Sequence, residues 1–147
     1  MNALVDTNIL VRLSDSGHPM QRVCQQALQR LLQRQDRIFL CAQAAIEYWA
    51  VVTRPKSSNG LGLSPVDAES GLRRAERWLV WLPEPPDIAV RWRALVNKHC
   101  VLGKQAHDTR LVALMEAHGL THLLTLNAGD FARFPGVTCV EPADVHA

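Results

Sequence analysis

Asp6, Glu47, Asp108 and Asp130 are the side chains whose placement suggests chemistry. Asp6 ends the short apolar run Ala3-Leu4-Val5, which reopens as Ile9-Leu10-Val11, so it sits at the carboxyl end of a buried strand that feeds a helix. In open parallel sheets that edge is where ligands bind. Glu47 is the only charged residue between Arg37 and Arg54, and an ionised carboxylate in an apolar helix requires a cation or a water-filled cleft. Asp108 begins a helix that feeds a later strand, and Asp130 lies just past that strand's carboxyl end. If that strand neighbours the first, as a doubly wound order with its switch point at strand one gives, Asp6 and Asp130 share one crevice, and Glu47 and Asp108 point into it from flanking helices. Crowded carboxylates repel one another and persist around cations or as shifted protonation pairs. An oxygen-only set, without His or Cys, favours Mg²⁺ or Mn²⁺ over zinc. One or two such ions activate water and neutralise a phosphate without any protein nucleophile, which suits phosphodiester hydrolysis.

Each of these residues also has an ordinary structural role. Asp6, Thr7 or Asn8 can cap the following helix, Asp108 can serve a helix start, and Asp130 falls three residues after Asn127 in a near capping box. Asn127 itself reads better as a cap than as a ligand. Glu47 is the least well explained by solvation. His107, beside Asp108, is a candidate proton shuttle with little else to mark it. Arg54, Lys56 and the face Arg73, Arg74, Arg77 are candidates for steering a phosphate backbone, although a helix face of arginines is most often simply solvated.

The elements that must position these groups alternate regularly. Apolar residues at Met20, Val23, Cys24, Ala27, Leu28, Leu31 and Leu32 have helical spacing from Pro19 to Arg34. Ile38-Phe39-Leu40-Cys41 reads as a strand, and the helix from Gln43 to Thr53 is ended by Arg54-Pro55. The stretch from Lys56 to Leu63 has loop chemistry and reads as a mobile lip. Ser64 caps a helix with Pro65 at its first position, which runs to Trp78. Leu79 to Leu82 is a brief strand, Pro86 to Lys98 a helix, and Asp108 to Gly119 another, with Gly119 as a left-handed terminator. Leu123 to Leu126 is the fourth strand, Asn127 to Phe131 a short helix, and Val137 to Val140 the last strand. This alternation predicts an α/β fold with a parallel sheet covered by helices on both faces through right-handed crossovers.

The 147 residues, 48% hydrophobic, suit one domain over 1–147 with a real core. A net charge of +2 provides no general field for a polyanion, so any basic surface must be local. Cys24, Cys41, Cys100 and Cys139 lie far apart with no C-x-x-C, and read as reduced core residues of a cytoplasmic protein. With no basic-then-apolar leader and no 18-residue apolar run, neither a signal peptide nor a membrane span is expected.

Taken in order, these segments resemble the PIN-domain nucleases, and more narrowly the toxins of prokaryotic VapBC toxin-antitoxin pairs. The resemblance rests on Leu4-Val5-Asp6-Thr7-Asn8-Ile9-Leu10, Ala45-Ile46-Glu47-Tyr48-Trp49, Val52-Thr53-Arg54-Pro55 and Gly62-Leu63-Ser64. It continues through His107-Asp108-Thr109-Arg110-Leu111-Val112-Ala113 to Gly119 and through Leu124-Thr125-Leu126-Asn127-Ala128-Gly129-Asp130-Phe131. It implies an α/β/α sandwich with a five-stranded parallel sheet in the order 3-2-1-4-5. It further implies a Mg²⁺- or Mn²⁺-dependent endoribonuclease, with Asp6, Glu47, Asp108 and Asp130 at the acidic positions. Asn8 and Asn127 would orient metal or water, and a small antitoxin and a homodimer are the expected partners.

Other classes fit less well. A haloacid dehalogenase-like phosphatase wants an acid two residues after Asp6, where Asn8 stands, and a phosphoaspartate receiver wants paired amino-terminal acids and a late lysine. A nuclease of the same fold without an antitoxin remains the main rival, ahead of a non-catalytic binding module. Trp49, Trp78, Trp81 and Trp92 further suggest aromatic surface covered by another subunit or an antitoxin segment.

Overall fold

A computed structural model describes residues 1–147. The first strand, β1 (Asn2–Val5), is followed by helix α1 (Thr7–Leu13) and the amphipathic α2 (Pro19–Gln33), then by β2 (Arg37–Leu40) and α3 (Ala42–Val52). After a 3-10 turn at Lys56–Ser58 come α4 (Pro65–Glu76), β3 (Val80–Trp81), α5 (Ile88–Lys98) and α6 (Gln105–Ala117). The chain closes with β4 (His122–Leu124), a 3-10 turn at Ala128–Phe131, β5 (Thr138–Val140) and a last turn at Pro142–Asp144.

All strand pairs are parallel, in the order β3-β2-β1-β4-β5, as expected. β1 is the central strand of this order, with partners on both sides. Ala3, Leu4 and Val5 are completely buried, Leu4 between Phe39 and Leu123. The chain winds outward from β1 through β2 to β3, then crosses back to β4 and β5. Right-handed crossovers in opposite directions put the two sets of helices on opposite faces. In agreement, α1 packs on α2, α3 and α4, while α5 packs on α6.

Local chemistry fixes the boundaries. Ser64 Oγ accepts the Asp67 N–H at 3.1 Å and Pro65 opens α4. Gly119 follows α6 at φ 66°, the left-handed stop expected of it. Three details differ from the sequence reading. Helix α6 starts at Gln105, so Asp108 lies within its first turn instead of opening it. Thr125 falls outside β4 as an element, although its N–H still reaches the Val140 carbonyl at 3.1 Å. The stretch read as a mobile lip is folded back onto the end of α3. Gly62 N–H donates to the Arg54 carbonyl at 2.8 Å, Leu63 N–H donates to the Val52 carbonyl at 2.9 Å, and a Cβ on Gly60 would lie 2.0 Å from the Arg54 oxygen.

The cysteines also divide. All four are free thiols, but only Cys24 and Cys41 are in the core; Cys139 is half-buried and Cys100 is exposed in a left-handed turn at φ 49°. An α5 terminus closed by a cysteine, which no sequence rule favours there, accounts for the misreading. Trp49 and Trp92 are half-buried against the core, whereas Trp78 and Trp81 remain 42% and 44% exposed. No helix is long and apolar enough to cross a membrane.

Helix α4 approaches α1 and α3 closely at Gly71. The Tyr48 hydroxyl donates to the Ala68 carbonyl at 3.0 Å and lies 3.0 Å from Ser14 Oγ. A Cβ at position 71 would meet the Tyr48 hydroxyl at 2.3 Å and Ser14 Oγ at 2.6 Å. Gly71→Ala should therefore destabilise the protein, since overpacking costs about 1–3 kcal/mol and outweighs the roughly 1 kcal/mol of helix propensity gained. Thermal denaturation reads the result; a raised melting temperature would mean that α4 moves aside freely.

Candidate active site

The β1–β4 pairing brings two distant segments together. Asp6 N–H donates to the Leu124 carbonyl at 2.9 Å, extending the ladder one residue beyond β1 and setting Asp6 beside Thr125. The Asp6 side chain is only 7% exposed. Its Oδ1 accepts the Thr7 N–H at 2.7 Å, and its Oδ2 accepts from Thr125 Oγ1 at 2.7 Å and Asn8 Nδ2 at 3.3 Å. The helix-cap reading and the site reading of Asp6 thus describe the same carboxylate. Asn8 Oδ1 takes the Leu126 N–H at 3.1 Å, which ties the segment after β4 to α1.

Glu47 approaches from α3, half-buried. Its Oε2 accepts from Thr7 Oγ1 at 2.7 Å and its Oε1 from Gln43 Nε2 at 2.9 Å. Asp108 approaches from the first turn of α6, also half-buried, and Asp130 is exposed in the 3-10 turn after β4. These acids lie close enough to act on one another electrostatically. Burial pushes the Asp6 carboxyl up, against the hydrogen bonds from Thr125 and Thr7, and the charges of Glu47 and Asp130 push it further. Asp108 is pushed up to about 6, first by burial and then by Asp6, Asp130 and Glu47, with His107 working the other way. As the side chains stand, no three His, Cys, Asp or Glu groups converge tightly enough to hold an ion. Their chemistry nonetheless suits a hard dication, because the set is all oxygen and its mutual repulsion is relieved by positive charge.

The remaining expected residues are spread more widely. Asn127 is exposed at the N-cap of its 3-10 turn, yet its side chain makes no capping bond; its backbone N–H donates to Thr125 Oγ1 at 3.0 Å. The His107 side chain is exposed, and its backbone carbonyl accepts from Gln43 Nε2 at 2.8 Å. Arg54 and Lys56 are exposed beyond α3, and Arg73 is paired with Glu69 at 3.0 Å. Arg74 and Arg77 line a separate cleft of about 150 Å³ with Leu10, Leu13, Tyr48 and Trp78, and none of the acids borders it.

Thr7, Gln43, Arg110 and Thr125 are the site residues that sequence reasoning passed over. Thr125 had a signal, being the lone hydroxyl in Leu123-Leu124-Thr125-Leu126, and it is completely buried. Gln43 stands one turn before Glu47 in a helix otherwise nearly free of polar residues. Arg110 had no local signal, because its partners Gln43 and Glu84 are remote in sequence.

A family model, the PIN domain, matches residues 3–137, a span that includes all the acids of the rim. The chain belongs to the PIN-domain family. Solved structures share this PIN fold over nearly their whole length. VapBC2 from Rickettsia felis, bound to a DNA fragment from its promoter, gives a TM-score of 0.69 at 16% identity, covering 96% of this chain and 98% of that one. A toxin-antitoxin complex from Klebsiella pneumoniae gives 0.64 at 28% identity, covering 95% and 97%. VapC20 from Mycobacterium tuberculosis, a sarcin-ricin loop cleaving toxin, gives 0.65 at 15% identity, covering 90% and 95%. A search of curated proteins returned no match.

The raised Asp108 carboxyl fixes the sign of a stability effect. Its folded value near 6 exceeds the ordinary 3.8, so between those values the folded PIN domain binds more protons than the unfolded chain. Stability from this group is present at low pH and is lost as pH rises through about 6. Asp108→Asn should raise the metal-free melting temperature at pH 8, on the order of 2–4 °C for each kcal/mol relieved by removing a buried charge from among its carboxylate neighbours. The gain should fade toward pH 4, and a lowered melting temperature at pH 8 would instead assign Asp108 a structural role.

Proposed function

We propose that this PIN-domain chain is a Mg²⁺- or Mn²⁺-dependent endoribonuclease acting as the toxin of a type II toxin-antitoxin pair, silenced by a small antitoxin. The observation that carries the reading is the gathering of Asp6, Glu47, Asp108 and Asp130 at one sheet edge, where burial first and the neighbouring carboxylates after it push Asp108 up to about 6. The toxin-antitoxin assemblies of the same fold support the partner, and the RNA-cleaving VapC20 supports the substrate class.

In this reading Asp6, Asp108 and Asp130 hold the metal, and Glu47 binds a second ion or takes the proton of the attacking water. When bound, the dication supplies Lewis acidity, neutralising phosphate charge and acidifying water. The chain supplies orientation. Thr125 and Thr7 fix the Asp6 carboxylate from two sides, and Thr7 with Gln43 fixes Glu47. Asn8 and Asn127 help orient metal or water. Arg54 and Lys56 beyond α3, with Arg73 paired to Glu69 and Arg74 and Arg77 at the separate cleft, are the cations this reading assigns to drawing in an RNA backbone, with the steep salt dependence of phosphate contacts.

RNA cleavage should require Mg²⁺ or Mn²⁺, stop with chelator, and fall by roughly 100-fold or more in Asp6→Asn, the scale of losing one major electrostatic contribution to a transition state. Charge reversal at Arg73 and Arg74 should weaken RNA binding; unchanged cleavage there would remove those arginines from the substrate path. Activity in chelator, or full activity in Asp6→Asn, would overturn the nuclease reading.

The half-exposed Trp78 and Trp81, with Val80 beside them 45% exposed, support a chain that associates with a second copy or its antitoxin. Sedimentation at micromolar concentration should give a homodimer, and a monomer would contradict that part of the reading.

A further inference from the structure

We propose that Gln43, itself held by Arg110, is the positioning residue that fixes the Glu47 carboxylate for the chemistry of the acidic rim. The inference rests on the metal-dependent nuclease reading. Gln43 and Glu47 are one turn apart on α3 and share a face of that helix. The Gln43 side chain is 9% exposed, and both ends of its amide are occupied. Its Nε2 donates to Glu47 Oε1 at 2.9 Å and to the His107 carbonyl at 2.8 Å, and its Oε1 accepts from Arg110 Nη1 at 3.0 Å.

These partners leave the amide one orientation. A carboxylate and a backbone carbonyl only accept, and a guanidinium only donates, so a flipped amide would set acceptor against acceptor and donor against donor. Arg110 is anchored in turn by its ion pair with Glu84, which lies just after β3. The opposite Glu47 oxygen takes the Thr7 hydroxyl at 2.7 Å, so the carboxylate is gripped from α1 and from α3 and cannot rotate without losing a hydrogen bond. A bridge needed only to join α3 to α6 would be complete with the His107 carbonyl and the Arg110 guanidinium. The second N–H, aimed at the acid, is what a positioning role requires. Outer partners of this kind set the direction and basicity of an acidic ligand, and their removal typically costs 10–100-fold in metal affinity or activity.

Gln43→Met keeps the length and volume of the side chain but removes both donor hydrogens and the acceptor. The test measures Mn²⁺ affinity of the RNA-free protein by titration calorimetry, with kcat and KM for RNA, in the wild-type and Glu47→Gln backgrounds. In the wild-type background Gln43→Met should weaken Mn²⁺ binding and lower kcat by about 10-fold or more, with KM little changed. In the Glu47→Gln background the same substitution should change each quantity by less than about twofold, because the group through which it acts is gone. Arg110→Met leaves α3 intact and should produce a smaller loss, again only where Glu47 is present; it carries the test if Gln43→Met fails to fold. Wild-type affinity and kcat in folded Gln43→Met, a loss confined to KM, or equal losses in both backgrounds would overturn the positioning role alone. Failure of the wild-type protein to bind Mn²⁺ would overturn the nuclease reading and this inference together.

Discussion

Everything at the candidate site depends on a carboxylate buried at the end of the central strand. Asp6 has little water left to solvate it, and its charge is compensated by donors from α1 and from the residue after β4. That compensation exists only because β1 and β4 are parallel neighbours, with the Asp6 N–H closing the ladder onto Leu124. Parallel strands cannot be joined by a short turn, so the pairing requires the whole chain between them to wind out and return. The helices that do the winding are the ones that carry Glu47 and Asp108 to the same edge. The site is in this sense a consequence of the sheet order.

A balance between repulsion and restraint follows. Burial and neighbouring charge both disfavour the ionised forms of Asp6 and Asp108, and the rim carboxylates are restrained by neutral donors, Thr125 and Asn8 for Asp6, Thr7 and Gln43 for Glu47. Neutral donors orient a carboxylate without cancelling its charge. A buried lysine or arginine in their place would hold the acids equally well and would remove their attraction for a cation. Arg110 stands close by but reaches Glu47 only through the Gln43 amide, with Glu84 taking its own ion pair. The net negative field is therefore left directed at the rim.

Specific packing elsewhere keeps this geometry. The Tyr48 hydroxyl, buried between Ser14 and the Ala68 carbonyl, locks α1, α3 and α4 together at a point where only a glycine lets the helices meet. These helices, with Gln25 of α2, line the cleft of Leu10, Leu13, Tyr48, Arg74, Arg77 and Trp78, so the apolar cleft shares α1 and α3 with Thr7 and Glu47 of the acidic rim.

The amino-acid sequence by itself determined the strand-helix alternation, the sheet order through its resemblance to a known family, and the candidate acids, because apolar periodicity, proline and glycine stops and isolated charges are local signals. Asp6 after a buried run and Glu47 alone in an apolar helix were legible for that reason. Tertiary structure decided what holds those acids. The pairs Asp6–Thr125, Thr7–Glu47 and Gln43–Arg110 join residues 119, 40 and 67 positions apart, and no local rule relates them. It likewise decided that Cys100 is exposed and that the 56–63 stretch is folded back, since burial and backbone closure depend on what lies opposite a residue in space. Residue type sets what a side chain can do, and only the packed sheet sets which partner is within reach.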